Sequence, residues 1–532
     1  MQTEQIQIFD TTLRDGQQSP GAGMSFEQNL AYADMAAQLK IDVLEAGFPA
    51  ASQQDFDIVH TIAERCAERH DAMTIAALCQ LREAQVVRTM EALAPSQQQG
   101  KARVHFYLPV DPNLMAASLG KMADQKETLI DQVHQMAKLA HDAGYEVEFS
   151  PEGYSRQGDN FDFVTDVIHA AIAGGATIIN CPDTIGGAAE YEGEQYFVRL
   201  MQRHADLMAK AFPDKNIVWS THCHNDFGLA VQNSLNAVFN GPARQIEGCI
   251  NGVGERAGNA ALEQCIMIID QFGQRVHPDK HFVTGCQTEY LAQASDFIAK
   301  HMLPRQPHSP VTGMNAARHT SGGHTNAILN NPLAYQPFDP KAVGSEINFV
   351  FGPLSGGNHA QNIIQTAGYQ CANDEKATIA QAIKDHYAER RKGVTDSELV
   401  EAYCHYRAPI KVSNIAYAKA EEHTTLSMEG HFFGTENLSM QYDGKNSALA
   451  ALSEAVNAQY PGVTIKNYHS ESANNAAIDA PSRATIIIAR EDDVVFTGVA
   501  EDQDIEMSAM KAFIAAVNEA YVDQHFRIKE AS

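Results

Sequence analysis

Two histidines spaced two apart, His222 and His224 in the string His222-Cys223-His224-Asn225-Asp226, carry the clearest chemistry in this chain. On an extended segment, side chains at i and i+2 share a face, so both imidazoles can chelate one ion. A carboxylate from Asp15 and an amide oxygen from Asn259 complete a mixed N/O set without thiolate. Such a set suits Mg2+, Mn2+ or Zn2+ in an open site that keeps room for substrate oxygens. An isolated H-x-H is more often a hydrogen-bonded pair, so its position in the fold decides. Arg14, next to Asp15, is an ordinary ion pair on a surface, but fixed positive charge for a developing oxyanion beside a metal. The glycines of Gly252-Val253-Gly254 and Gly258 lack G-x-G-x-x-G spacing and a following acidic ribose ligand, which excludes a Rossmann reading. They serve a tight turn that presents Glu255, Arg256 and Asn259.

These residues need strand ends to bring them together. Eight β-rich runs alternate with helical spacing: Ile6 to Phe9, Val43 to Ala46, Met73 to Leu78, Val104 to Leu108, Val147 to Phe149, Ala176 to Asn180, Ile217 to Thr221 and Gln245 to Ile250. Helices are expected at Phe26 to Leu39, Thr128 to Ala143, Phe161 to Ala173 and Tyr196 to Ala211, with glycine stops at Gly144 and Gly174-Gly175. Eight βα units predict an α/β fold, a (β/α)8 TIM barrel over residues 1–275, with a doubly wound open sheet as the alternative. Active sites of such barrels gather at the C-terminal ends of the strands, which is where the polar strings fall. Residues 276–405 read as a helical linker region, and 406–532 as a C-terminal α+β regulatory domain. In the last part, strands at Ile410 to Tyr417 and Thr424 to Met428 precede a helix at Ser447 to Gln459. Strands at Val463 to Tyr468 and Ala484 to Ala489 then precede a helix at Ile505 to Tyr521, so the element order repeats.

The chain of 532 residues exceeds one compact core at roughly 150 residues per domain, and its 44% hydrophobic content marks a folded protein. With 39 basic against 66 acidic residues the net charge is -27, which repels phosphate backbones and anionic membranes. Nucleic acid and membrane partners are therefore not expected, whereas a local metal or arginine still admits small acids. Nine cysteines without a C-x-x-C pair read as reduced thiols, and no targeting or 18-residue apolar segment is evident, so a cytoplasmic protein is expected.

Four strings in this order resemble the 2-isopropylmalate synthase family: Phe9-Asp10-Thr11-Thr12-Leu13-Arg14-Asp15-Gly16, Glu45-Ala46-Gly47-Phe48-Pro49, His222-Cys223-His224-Asn225-Asp226, and Gly252-Val253-Gly254-Glu255-Arg256-Ala257-Gly258-Asn259. The wider superfamily holds homocitrate synthase, citramalate synthase and the hydroxymethylglutaryl-CoA lyases. The resemblance extends over the whole chain, since its final modules look like that family's leucine-sensing domain.

The resemblance implies an acyltransferase that condenses acetyl-CoA with 3-methyl-2-oxobutanoate and water to 2-isopropylmalate and CoA. It implies Asp15, His222, His224 and Asn259 as ligands of a divalent metal (Mn, Mg or Zn) that holds the 2-oxo acid. Arg14 stabilises negative charge, and Glu152 and His324 are the candidates for the base toward acetyl-CoA, with Tyr335 nearby. Thr184 binds the substrate carboxylate, while His105, Ser150 and Asn180 line the pocket. A homodimer is expected, because His324 must be carried back to a barrel mouth, and leucine is the expected feedback inhibitor. A citramalate synthase and a catalytically silent amino-acid-binding regulator are the competing readings. The chain departs from the family's small hydroxyl residues at His105-Phe106-Tyr107-Leu108-Pro109-Val110-Asp111. It departs again at Tyr442-Asp443-Gly444-Lys445-Asn446 and at Asn474-Asn475-Ala476-Ala477-Ile478-Asp479-Ala480.

Overall fold

A computed structural model describes residues 2–390, 393–421, 423–443, 447–473 and 480–528. Eight parallel strands close into a barrel: β2 (Gln7–Asp10), β3 (Val43–Glu45), β4 (Thr74–Gln80), β5 (Ala102–Pro109), β6 (Glu146–Glu152), β7 (Ile178–Asp183), β8 (Val218–Cys223) and β9 (Ala243–Gly248), preceded by β1 (Gln2–Gln5). Each coincides with one of the eight expected runs, so the closed barrel replaces the open-sheet alternative. The strands are short and buried on both faces, β7 along its whole length, because helices cover the outside of a parallel sheet.

Local signals set the helix limits. Ser25 and Gln28 form a reciprocal capping box at the start of helix Phe26–Gln38. Helix Phe161–Ala173 stops at Gly174-Gly175. Strand β10 (Lys280–Val283) pairs in parallel with β1. The compact unit that holds the barrel comprises Met1–Ala317 and Gln336–Ile347.

The second compact unit comprises Arg318–Tyr335 and Asn348–Ser532. It opens with a two-residue pair, β11 (Arg318–His319) and β12 (Asn348–Phe349). Helices Gly357–Thr366, Lys376–His386 and Asp396–Arg407 then pack on a core that includes Phe351, Ile364, Ile379 and Tyr403. Two similar modules follow. Strands β13 (Ile410–Lys419), β14 (Thr424–Phe432) and β15 (Thr435–Tyr442) precede helix Ala448–Gln459; strands β16 (Thr464–Ser472), β17 (Ser482–Ala489) and β18 (Val495–Asp502) precede helix Ile505–Phe526. Both sheets are antiparallel, and each contains a third strand, β15 or β18, beyond those the sequence indicated. The departures at Gly444-Lys445-Asn446 and at 474–479 lie outside the described residues. Among the described residues, no helix is long and apolar enough to cross a membrane.

The barrel interior is polar where aliphatic layers are usual. Arg103 donates to Glu148 (2.9 Å), Glu146 (2.7 Å) and Gln245 (2.8 Å), and Gln245 donates to Glu148 (2.7 Å) and Ser220 (2.9 Å). Burial pushes the Glu148 carboxyl above its usual range, against the pull of Arg103. This layer forms a floor under the strand ends. Removing one partner of a buried pair strands the other charge, at a cost of about 3–5 kcal/mol. Arg103→Met is therefore expected to lower the urea midpoint strongly, and Arg103→Met with Glu148→Gln to recover part of the loss. A wild-type midpoint for the single variant contradicts this role.

Candidate active site

Strand β8 carries His222 at its penultimate position, and His224 follows just beyond its end, where it bridges to Asn259. The imidazole centroids are 5.0 Å apart. Asp15 enters from the turn after β2, and ligand atoms of Asp15, His222 and His224 all lie within 4.8 Å of one another. The expected same-face pair therefore meets its expected carboxylate.

Hydrogen bonds aim His222 and Asp15. Glu247 accepts from Nδ1 of His222 at 2.7 Å, which leaves Nε2 facing Asp15 Oδ2 at 4.0 Å. The Asn259 amide nitrogen donates to Asp15 Oδ1 (2.6 Å) and to the Val253 carbonyl (3.0 Å). Its Oδ1 is buried without a partner, and so is Nδ1 of His224. Two orphaned lone pairs beside a carboxylate and a fixed imidazole are what a divalent cation completes, since buried polar atoms otherwise find partners. The close approach requires glycine at 254 (φ +156°), where a Cβ would overlap the Asn259 amide nitrogen. At Gly258 (φ +87°), a Cβ would overlap the Gly252 carbonyl oxygen.

Arg14 is the hub beside this cluster. Its Nε donates to Glu45 (2.6 Å), one terminal nitrogen to Asp15 (2.7 Å) and the other to Glu247 (3.3 Å). Three of its five N–H groups are thus used, and two remain for the cavity it lines. Burial alone would raise the Asp15 carboxyl, but Arg14, His222 and His224 together hold it below its usual range. Burial and the neighbouring His222 lower His224 to about 4, so it stays neutral, the form that ligates.

A second chain of bonds lies next to the first. His105 bridges Glu45 (2.7 Å) and the Ser150 hydroxyl (2.7 Å). Burial opposes charge on His105, but Glu45 prevails and pushes it up to about 9. The protonated ring donates to Ser150, whose oxygen also accepts from the Asn180 amide at 2.9 Å, so the serine proton is left to point elsewhere. Asn180 donates again to Glu247 at 2.7 Å, and its own Oδ1 is buried and unpartnered.

Arg14, Asp15, His105, Ser150, Glu152, Asn180, Thr184, His222 and His224 all line one cavity of about 390 Å3, with Asn259 bonded at its edge. Burial raises the Glu152 carboxyl above its usual range. Thr184 accepts from the Gly153 backbone at 2.9 Å. His324 and Tyr335 belong to the second compact unit, where their rings stack with centroids 3.9 Å apart. Glu247 was not among the expected site residues, and Glu45 figured only as part of a motif, with no role of its own. The available signal was an acidic residue within an apolar strand run, in Val43-Leu44-Glu45-Ala46 and Ile246-Glu247-Gly248.

Three family regions match in succession: HMGL-like over residues 5–298, homocitrate synthase post-HMGL domain-like over 311–392, and the LeuA allosteric (dimerisation) domain over 401–521. The 2-isopropylmalate synthase of Methylibium petroleiphilum is 31% identical over 97% of this chain and 98% of its own length. That of a Synechococcus species is 33% identical over 96% and 94%. The chain belongs to the 2-isopropylmalate synthase family. The HMGL-like family is metal-dependent, in keeping with the orphaned donors at the barrel mouth. The 2-isopropylmalate synthase of Aromatoleum aromaticum, 33% identical, is likewise matched over 97% of each chain.

Because Glu247 orients His222 and also holds Arg14, it acts through other groups. Loss of such an outer partner typically weakens metal binding about 10–100-fold. Glu247→Gln is expected to weaken Mn2+ binding in calorimetric titration by this amount with the melting transition retained. Unchanged affinity contradicts the positioning role.

Proposed function

We propose that this chain condenses acetyl-CoA with 3-methyl-2-oxobutanoate and, with water, releases 2-isopropylmalate and CoA, the step that commits carbon to leucine. The observation that carries the reading is the convergence of ligand atoms of Asp15, His222 and His224 in a cavity shared with Arg14 and Glu152, with the Asn259 amide bonded to Asp15 and with His224 Nδ1 and Asn259 Oδ1 buried without partners. The full-length similarity to proteins named 2-isopropylmalate synthase supports it.

Asp15, His222, His224 and Asn259 hold a divalent cation, with Mn2+, Mg2+ and Zn2+ all compatible with N/O donors. When bound, it supplies a Lewis acid toward the keto group of the 2-oxo acid. The methyl of a thioester is a weak carbon acid, so a base and charge stabilisation must act together. Glu152 is the base: its raised carboxyl brings proton affinity closer to neutral pH, and it faces the same cavity as Arg14. The two unspent N–H groups of Arg14 receive the negative charge that develops on oxygen. Ser150, whose oxygen already accepts from His105 and Asn180, is left to donate its own proton to a substrate oxygen. Thr184 takes the substrate carboxylate, and Leu78 and Pro182 supply apolar wall for the branched chain. His324, stacked on Tyr335, is the second candidate for the base.

The C-terminal modules make the enzyme a homodimer and bind leucine. Each three-stranded sheet packs one face against helices, and along β16 most of the side chains are left exposed. Coupling of about 1–3 kcal/mol between leucine and the catalytic unit is typical of such regulation.

A thiol-release assay with acetyl-CoA and a panel of 2-oxo acids including pyruvate tests the reading. Highest turnover is expected with 3-methyl-2-oxobutanoate, with loss on chelation and recovery with Mn2+. Glu152→Gln is expected to lower kcat by about 10²–10⁴, whereas a larger loss in His324→Asn assigns the base to the second unit. Chelator-treated protein with full activity contradicts the proposal. Leucine is expected to lower kcat without competing with the 2-oxo acid, and light scattering to report a dimer; calorimetry without leucine binding removes the regulatory part.

A further inference from the structure

Strand β5 alternates in and out of the barrel. Arg103 and His105 face inward and are fully committed, the first to the polar floor and the second to Glu45 and Ser150. By the same period of two, Tyr107 takes the next inward level. It is half-buried and lines the cavity that holds Arg14, Asp15 and the two metal-facing histidines.

Tyr107 also lines a second cavity of about 340 Å3. That space is walled mainly by Leu81, Leu119, Met122 and Leu129, with Arg82, Ser118 and Gln132 as its polar lining, and holds none of the groups assigned to the reaction. One ring thus borders both spaces. It is also fixed: Gln80, its register neighbour on β4, donates to the phenol oxygen at 3.2 Å. Gln80 is itself held by Gln85, whose amide oxygen accepts from the Gln80 backbone (3.1 Å) and whose amide nitrogen donates to the Gln80 side chain (3.3 Å). A tyrosine seated on a barrel strand and tied through Gln80 to the following helix is a rigid wall.

We infer that Tyr107 is the specificity-determining partition of this active site. Its ring ends the space open to the side chain of the 2-oxo acid and keeps the mainly apolar second cavity closed to substrate. This rests on the proposed condensation of a 2-oxo acid. With the ring removed, the two cavities join, and linear aliphatic chains extend toward Leu119, Met122 and Leu129. Each additional methylene buried there strengthens binding about fourfold, the equivalent of ~0.8 kcal/mol.

The test uses the full-length Mn2+-loaded protein with 3-methyl-2-oxobutanoate, 2-oxohexanoate and 2-oxooctanoate. Binding is measured by calorimetry without acetyl-CoA, and turnover by thiol release with it. Tyr107→Ala is expected to raise kcat/KM for 2-oxooctanoate relative to 3-methyl-2-oxobutanoate at least tenfold, mainly through KM, with a parallel gain in binding. Tyr107→Leu moves the same way by less, and covers the case in which the alanine variant does not fold. Tyr107→Phe retains the wild-type chain-length preference. Folded, metal-loaded Ala and Leu variants with the wild-type preference overturn the inference, as does wild-type protein that binds no 2-oxo acid. Wild-type protein that binds 2-oxo acids without releasing CoA overturns the condensation reading, while the binding series still decides the role of Tyr107.

Discussion

One guanidinium held by three carboxylates governs the barrel mouth. Arg14 bonds Asp15, Glu45 and Glu247, and each of those acids also serves another group. Asp15 faces the paired histidines, Glu45 charges His105, and Glu247 orients His222. Removing a charge from such a network leaves its partners buried and unpaired, so the residues constrain one another. Asp15 also lies beside His224 and Asn259, whose unpartnered nitrogen and oxygen are where a cation has most to gain.

The network requires a scaffold that sets groups from distant parts of the chain within hydrogen-bond reach. A parallel barrel does this because every strand ends on the same face. Asp15, Glu45, His105, Ser150, Asn180, His222 and Glu247 come from seven strands or strand ends, and the Arg103–Glu148–Gln245 layer underneath fixes their level. Turn chemistry matters at one place above others: the loop from Gly252 to Asn259 folds back so tightly that side chains at 254 and 258 are excluded.

The barrel was legible because eight β-rich runs alternate with segments of helical spacing, some of them marked by a cap such as Ser25 or a glycine stop such as Gly174-Gly175. The H-x-H spacing and the strand-end positions likewise pointed to Asp15, His222 and His224, whose ligand atoms the fold brings within 4.8 Å of one another. Glu45 and Glu247 were harder to assign, since a buried acid in an apolar strand has no sequence neighbour that names its partner. Arg14 and Glu247 are joined only in space. Strands β15 and β18 are the third strand of each sheet; β13 and β16 are edge strands too and were legible, so edge position alone does not account for the difference. Gly498 also interrupts β18, because a Cβ there would overlap the Ala512 carbonyl of the covering helix. His324 and Tyr335, which only the resemblance set near one another, stack within the second compact unit.

The proposed metal site is Asp15, His222, His224 and Asn259. A second buried trio, Glu45, His105 and Glu247, also offers converging donor atoms, but its members are already hydrogen-bonded. Anomalous diffraction from crystals grown with Mn2+ distinguishes the two directly. One strong peak is expected within coordination distance of His222 Nε2, His224, a carboxylate oxygen of Asp15 and Oδ1 of Asn259. A peak held by Glu45, His105 and Glu247, or full occupancy elsewhere with none beside His222 and His224, would contradict this assignment.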